Sequence, residues 1–397
     1  MKLYVFNPDA DMALGNNEEN YMAPASIRRM AEDLALLPVW YAQPGSGVLA
    51  PSAYNADYLK RMQQLLPLPV QLVTEPELPD YAEAQVMPWG WNPAIRKRML
   101  KGGIAAYKLP TLENLQEYRG LASRIHTLAL FMLFNYDKLD FVCGYCRLIE
   151  GDGKVFPAGA VDDLRDGYLF KALWSGSGKG LCWCRGKLSK SVSDWCCHTM
   201  KEYGAVMVEP IYNKVEDFAM EFYSDGRGKV LFVGYSRFTT NEHGAYCGNI
   251  LTSDEKVEEW IQQYVPLESF IRIRERLLNG LEKIYGNSYT GYLGVDMMVC
   301  RQESGYPYAI HPHVEVNLRM NMGVVAHRIS NDYLSAGCSG YFSIDSYPSN
   351  EALQAQHAQD VHDYPLVVQD GKVKSGYLPL VPVTSKSRYR AYIKVSD

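Results

Sequence analysis

The sequence predicts a mixed α/β and α+β chain: an N-terminal Rossmann-like α/β domain followed by units built on antiparallel sheets. Three observations predict it. Over residues 1–105 short apolar strands alternate with helices, which implies a mostly parallel sheet. Beyond about residue 141 strand-rich segments follow one another through turns, the pattern of antiparallel sheets. The length of 397 residues is enough for two or three domains, each with its own core.

Taken in order, KLYVF is the first strand and ends in a polar turn, NPDADMALGNNEEN. Its Asn7, Asp9 and Asp11 lie where the carboxyl end of that strand would be, a position that favours ligands in α/β folds. No GxGxxG follows, so a dinucleotide site is not supported. A helix is expected over about 24–36, with Ile27, Met30, Leu34 and Leu37 at helical spacing. PVWYA and PVQLV read as short strands around a helix at about 55–66, and a further helical stretch covers about 112–134. Strands then recur in FVCGYCRLIE, KVFPAGAV, YLFKALWS and LCWCRGKL. A helix over 190–203 leads into a strand at 205–210, then DFAMEFYS and KVLFVGYSRFTT. One helix over about 255–285 precedes the strands GYLGVDMMVC and IHPHVEVNLRMNMG. Near the end, YPLVVQDGKVKSGYLPLVPV reads as a hairpin on Asp370-Gly371, and RYRAYIKV as a last edge strand.

Composition narrows the function classes. At 47% hydrophobic and 21% charged the chain reads as an ordinary globular protein. A net charge of −5 argues against a nucleic-acid partner, and the basic residues Arg96, Lys97, Arg98 and Lys101 read as one solvated helix face. The N-terminus carries no signal-like apolar region, and HTLALFMLF is too short to span a membrane. Nine scattered cysteines fit reduced thiols and a cytoplasmic location. Cys143/Cys146 and Cys182/Cys184 would have to converge to bind zinc; buried strand thiols account for them better.

The chemistry concentrates in residues 310–323. On a strand, alternation puts His311, His313, Glu315, Asn317 and Arg319 on one face and Val314, Val316 and Leu318 on the other. A carboxylate and an amide oxygen two residues apart can ligate a hard cation such as Mg²⁺, and the arginine suits a phosphate or carboxylate. Asp296, a single acid in the apolar strand GYLGVDMMVC, is costly to bury unless paired or metal-bound, and joins this group if the two strands are neighbours. Lys171 precedes a Gly/Ser turn at 175–180 whose backbone donors suit phosphate oxygens, although the pattern is not that of a Walker A loop. The strand at 205–210 ends in Glu209-Pro210, a rigid connector, and Asp217 follows as a candidate acceptor for ribose hydroxyls.

In this order, residues 115–335 resemble the ATP-grasp superfamily of carboxylate ligases. The resemblance implies a two-lobed fold after a pre-ATP-grasp domain: 1–105, a small lobe over 106–205, a large lobe over 206–345, and a C-terminal β extension over 346–397. It implies that Lys171 meets the α/β-phosphates and that Ser175, Gly176, Ser177, Gly178 and Gly180 form a loop over them. Glu209 and Ile211 would hold the adenine edge, Asp217 the ribose, and Arg124, where lysine is more usual, would be the family's basic residue on an earlier helix. Asp296, Glu315 and Asn317 match the Mg²⁺ ligands, with Mn²⁺ as a substitute, and Arg319 the arginine that steadies the transferred phosphoryl group. The implied activity is an ATP-dependent ligase acting on a small carboxylate and an amine-type nucleophile, with His311 or His313 as a candidate base. The alternatives are a nucleotide-binding regulatory relative without turnover and a kinase of the same fold. A homodimer is compatible with either; nucleic acid and membrane are not expected partners.

Overall fold

Three sheets organise the chain, whose structure, a computed structural model, describes residues 1–134, 139–157, 161, 167–174, 180–241 and 246–396. The first sheet is parallel, in the order β3-β2-β1-β4, from β1 (Lys2–Val5), β2 (Gly47–Leu49), β3 (Gln71–Val73) and β4 (Gln85–Pro88). Helices α1 (Ala10–Asn16), α2 (Ala25–Asp33), α3 (Asn55–Leu65) and α4 (Pro93–Lys101) connect or flank these strands. Two expectations change here. Part of the polar turn after β1 is helix α1, and PVWYA is no strand but supplies a buried 3₁₀ turn, Leu37–Trp40. Pro38 has no N–H for a ladder, so the segment buries its side chains from a turn instead.

The predicted helix over 112–134 breaks into α5 (Leu112–Leu121) and α6 (Ile125–Phe134). At the break the Arg124 N–H leaves the helix and donates to the Leu173 carbonyl. The second sheet is antiparallel, in the order β5-β8-β6-β7, from β5 (Arg147–Glu150), β6 (Tyr168–Lys171), β7 (Leu181–Cys184) and β8 (Ala205–Pro210). Helix α7 (Lys190–Tyr203) packs Cys196 and Met200 against it.

The third sheet has nine strands: β9 (Lys214–Asp225), β10 (Val230–Thr240), β11 (Tyr246–Leu251), β12 (Thr290–Arg301), β13 (Tyr308–Asn317), β14 (Ser339–Ser346), β15 (Val367–Gln369), β16 (Lys372–Pro379) and β17 (Tyr389–Ser396). Their order is β13-β12-β9-β10-β11-β14-β17-β16-β15. The helix expected over 255–285 is divided at Pro266 into α8 (Asp254–Ile261) and α9 (Leu267–Tyr285), and α9 buries Phe270, Ile273, Leu277 and Leu281 on the sheet. Helices α10 (Met322–Tyr333) and α11 (Asn350–Asp363) complete this part. No helix among the described residues is long and apolar enough to cross a membrane.

Sheet pairing redraws the expected boundaries. All of β8 belongs to the second sheet, so the division at 205/206 moves to about 210. Residues 346–397 are no separate extension, because β17 pairs with β14 on one side and β16 on the other. RYRAYIKV is therefore an interior strand: Ala391, Ile393 and Val395 are buried, and Arg390 is buried against Asp360 at 2.6 Å. The hairpin on Asp370-Gly371 forms as expected, with both residues at positive φ as a two-residue loop requires.

Candidate active site between the second and third sheets

β6 carries Lys171 beside β8, where its ammonium reaches the Glu209 carboxylate at 2.6 Å and the Val314 carbonyl at 3.3 Å. Both side chains are almost fully buried, 3% and 4% exposed. Burial pushes the Glu209 carboxyl up from its ordinary value, with the Lys171 charge opposing. Arg124, where α5 gives way to α6, donates to the Ala172 carbonyl at 2.5 Å and to Glu315 at 2.6 Å. Lys171 and Arg124 thus tie the second sheet to β13.

On the third sheet Asp296 of β12 lies opposite Glu315 of β13, and Gly294 opposite Asn317. The Asn317 amide donates to Asp296 at 3.0 Å, and its oxygen accepts from Arg319 at 3.1 Å. Arg319 also grips Asp11 of α1 through Nε at 2.8 and 2.7 Å. Burial, reinforced by the charges of Glu315 and Glu221, pushes the Asp296 carboxyl well above the usual carboxylate range.

The donor chemistry of this corner fits a hard divalent cation. Two carboxylates in register with a carboxamide beside them supply oxygen ligands, and the half-buried Asp296 has a neutral amide rather than a cation as its hydrogen-bond partner. No group of three or more His, Cys, Asp or Glu side chains is disposed to hold a metal among the described residues, so two carboxylates here would need the Asn317 oxygen as a further ligand. For the same reason the two cysteine pairs form no zinc site there; all the cysteines are free thiols.

Other expected residues are found as follows. The Ile211 N–H donates to the Gly167 carbonyl at 3.1 Å, and Asp217 accepts from Thr240 at 2.6 Å and from Lys214. Gly180 is at positive φ and accepts from the Ala172 N–H. Ser175, Gly176, Ser177 and Gly178 lie outside the described residues. The histidines are not exposed beside Glu315. β12 and β13 slip register between Asp296 and Met298, so that two steps on β12 span four on β13, around Pro312. His311 and His313 are buried instead, edge-on to Tyr212 at 5.0 Å and Phe134 at 5.7 Å. Burial holds His311 well below its ordinary value and His313 down at about 4, so both imidazoles are neutral and weak bases near neutral pH.

Two residues of this site were not among those expected from the sequence. Asp11 comes from the polar segment after β1, which was noted without a partner. Glu221 lies on β9 opposite Gly294, buried, accepting from Asn321 at 2.8 Å, with its carboxyl pushed up to about 7 by burial. A Cβ at Gly294 would sit 2.6 Å from the Glu221 carboxylate and 2.4 Å from Asn321, so glycine is required for this approach. The signal was available: Glu221 is a single acid within the apolar strand DFAMEFYS, the pattern that marked Asp296.

No family profile matches the sequence, and no curated protein matches it. Solved structures do. A biotin carboxylase from Campylobacter jejuni superposes with a TM-score of 0.50 at 11% identity, over 100% of this chain and 87% of that one. An N5-carboxyaminoimidazole synthetase from Staphylococcus aureus has a TM-score of 0.48 at 11% identity, over 90% and 94%. An L-amino acid ligase from Bacillus licheniformis has 0.46 at 11%, over 99% and 93%. The first of these carries the fold assignment: a parallel N-terminal sheet, a small antiparallel sheet and a large one in this order. The chain thus has the fold of that biotin carboxylase, the ATP-grasp fold.

Proposed function

We propose that the chain uses ATP to activate a small-molecule carboxylate as an acylphosphate, which an amine or similar nucleophile then attacks. One observation carries the reading: a string of three sets of charged and amide groups, Glu209–Lys171, Arg124–Glu315 and Asp296–Asn317–Arg319, gathered where the second and third sheets meet. A structural ion pair needs two partners; this string has the two signs of charge that a metal-nucleotide complex requires.

In this reading Glu209 and Ile211 offer backbone groups to the adenine edge and Asp217 meets the ribose. Lys171, Arg124, Ser175, Gly176, Ser177, Gly178 and Gly180 take the phosphates. Asp296, Glu315 and Asn317 would hold Mg²⁺ or Mn²⁺, which when bound neutralises phosphate charge. Lys171 and Arg124 pair with Glu209 and Glu315, and phosphate oxygens would compete for the same two cations. Arg319 opposes the charge on the γ-phosphoryl group as a substrate carboxylate oxygen attacks phosphorus and the bond to ADP breaks. The nucleophile then displaces phosphate from the acyl carbon. Positioning and charge neutralisation suffice, and no side chain forms a covalent intermediate.

The test is ADP release across a carboxylate library, with and without EDTA, followed by mass spectrometry. Release that needs both an acid and the metal, with a condensed product, is expected. ADP never rising above the acid-free rate would sink the reading, and a phosphorylated end product without condensation would mark a kinase.

A further inference from the structure

Arg319 follows the strand that carries Glu315 and Asn317, yet its guanidinium is held from the first sheet. Asp11, in the first turn of α1, accepts from Nε at 2.8 and 2.7 Å and lies 2.6 Å from Nη2, a side-on grip by both carboxylate oxygens. Nη2 also donates to the Asn317 oxygen at 3.1 Å, and Nη1 to the Met320 carbonyl at 3.1 Å. Among the described residues these partners leave one Nη1 hydrogen for a ligand.

The surroundings are shaped for this contact. Asn7, buried beyond the end of β1, donates to the Gly90 carbonyl at 2.8 Å and fixes the segment after β4. A Cβ at Gly90 would stand 2.6 Å from the Ala10 side chain and 3.3 Å from that of Arg319, so glycine is what lets α1 and the arginine meet there. The Met320 N–H donates to the Trp89 carbonyl at 2.9 Å, which docks the backbone beside Arg319 on the same segment. The first sheet thus supplies a carboxylate and a backbone cradle to one side chain of the third.

Charge shows what the cradle prevents. The charges of Glu315 and Asp296, besides that of Asp11, all bear on Arg319. Released from Asp11, so long a cation would turn onto that acid pair, where the metal of the ligase reading belongs. Resting on that reading, we propose that Asp11 is a positioning residue: it holds Arg319 off Asp296 and Glu315, leaving those acids to the metal and the arginine to the phosphoryl group. A carboxylate beside the arginine also dilutes its attraction for phosphate. That dilution is worth roughly fivefold in a partly exposed pair, against about a hundredfold for a group displaced by ~1 Å, so orientation wins.

The experiment uses the full chain with Asp11→Ala, Asp11→Asn, Arg319→Gln and the double variant Asp11→Ala/Arg319→Gln. Mn²⁺ binding in the presence of ADP is read by electron paramagnetic resonance, and turnover by ADP release at saturating Mg²⁺. Asp11→Ala is expected to weaken Mn²⁺ binding roughly three- to tenfold and to lower kcat tenfold or more. Asp11→Asn, which keeps an oxygen for Nε, recovers most of both. In the Arg319→Gln background the loss of Asp11 moves neither reading, because no cation is left to misplace; a merely structural Asp11 would lower both backgrounds alike. Equal losses in the two backgrounds, or Mn²⁺ binding in Asp11→Ala as tight as in the parent, overturn the proposal. So does faster turnover in Asp11→Ala, which would mark the pair as an autoinhibitory latch, and so does a parent that binds no Mn²⁺ beside ADP. The ligase reading fails separately, on a parent that releases no ADP with any acid, and the Mn²⁺ titrations then still decide the role of Asp11.

Discussion

The two ends of the string treat buried acids in opposite ways. At one end Glu209 is fully buried and has Lys171 at 2.6 Å, so its charge is answered within the protein. At the other, Asp296 sits in register with Glu315 and near Glu221, with an amide as its hydrogen-bond partner, while Arg319, whose charge reaches it, is bound to Asp11. The difference teaches where a ligand's charge belongs. The paired end is stable by itself and can offer backbone to a neutral ring, whereas the acid-rich end lowers its free energy when positive charge is added.

The largest test of that contrast is Lys171→Ala. It leaves Glu209 buried without a counter-charge and should cost about 3–5 kcal/mol in urea unfolding, with ATP turnover down more than tenfold. Replacing the pair together, Lys171→Met with Glu209→Leu, should recover most of the stability and none of the turnover. A single variant as stable as the parent would break the idea that this end is internally balanced.

Next in size is a pH effect at Glu221. Its carboxyl is raised from the ordinary 4.5 to about 7, so the folded state holds the proton more tightly than the unfolded chain does. That contribution is complete below pH 4.5 and is lost as pH rises through 7. The parent should therefore lose up to about 3 kcal/mol over this window, with Asp296 adding in the same direction. Glu221→Gln should flatten the profile measured by denaturation at fixed ionic strength.

Asp296→Asn sharpens the comparison from the other side. Removing an acid whose charge is disfavoured by its surroundings should raise the melting temperature without nucleotide at pH 8, while Mg²⁺-dependent ATP affinity falls roughly tenfold or more. Calorimetric titration with and without metal checks both halves; equal affinities would remove Asp296 from the metal set. Smallest is Asp217→Asn, whose carboxylate is partly engaged with Thr240 and Lys214. It should raise KM for ATP about two- to fivefold and leave the metal dependence alone.

Much of this was legible because it is local. The helix Lys190–Tyr203 and the strand Ala205–Pro210 fall on their expected limits, since cap, periodicity and Pro210 all lie within the segment. Period-two alternation brought Asp296, Glu315 and Asn317 to one face. That His311 and His313 are buried against Tyr212 and Phe134, beside an irregular stretch of ladder at Pro312, is not something alternation alone discloses. Pro266 could have divided the long helix in advance, and Pro38 could have ruled out the strand at PVWYA. Asp11 finding Arg319 across 308 residues could not be read at all, because only the packed fold brings those segments together.

The place of Tyr389–Ser396 has a consequence for how the protein is made. This strand packs Ala391 and Ile393 into the same core as Leu34 and Trp40 of the first domain, and the Trp40 indole donates to the Leu380 carbonyl at 2.6 Å. A nascent chain that has emerged only as far as Ser346 would expose an open ladder on one side and an unfilled apolar wall on the other. Early-synthesised segments must then wait for late ones before closing, and during that interval a chaperone or a second nascent chain can compete for the same edge.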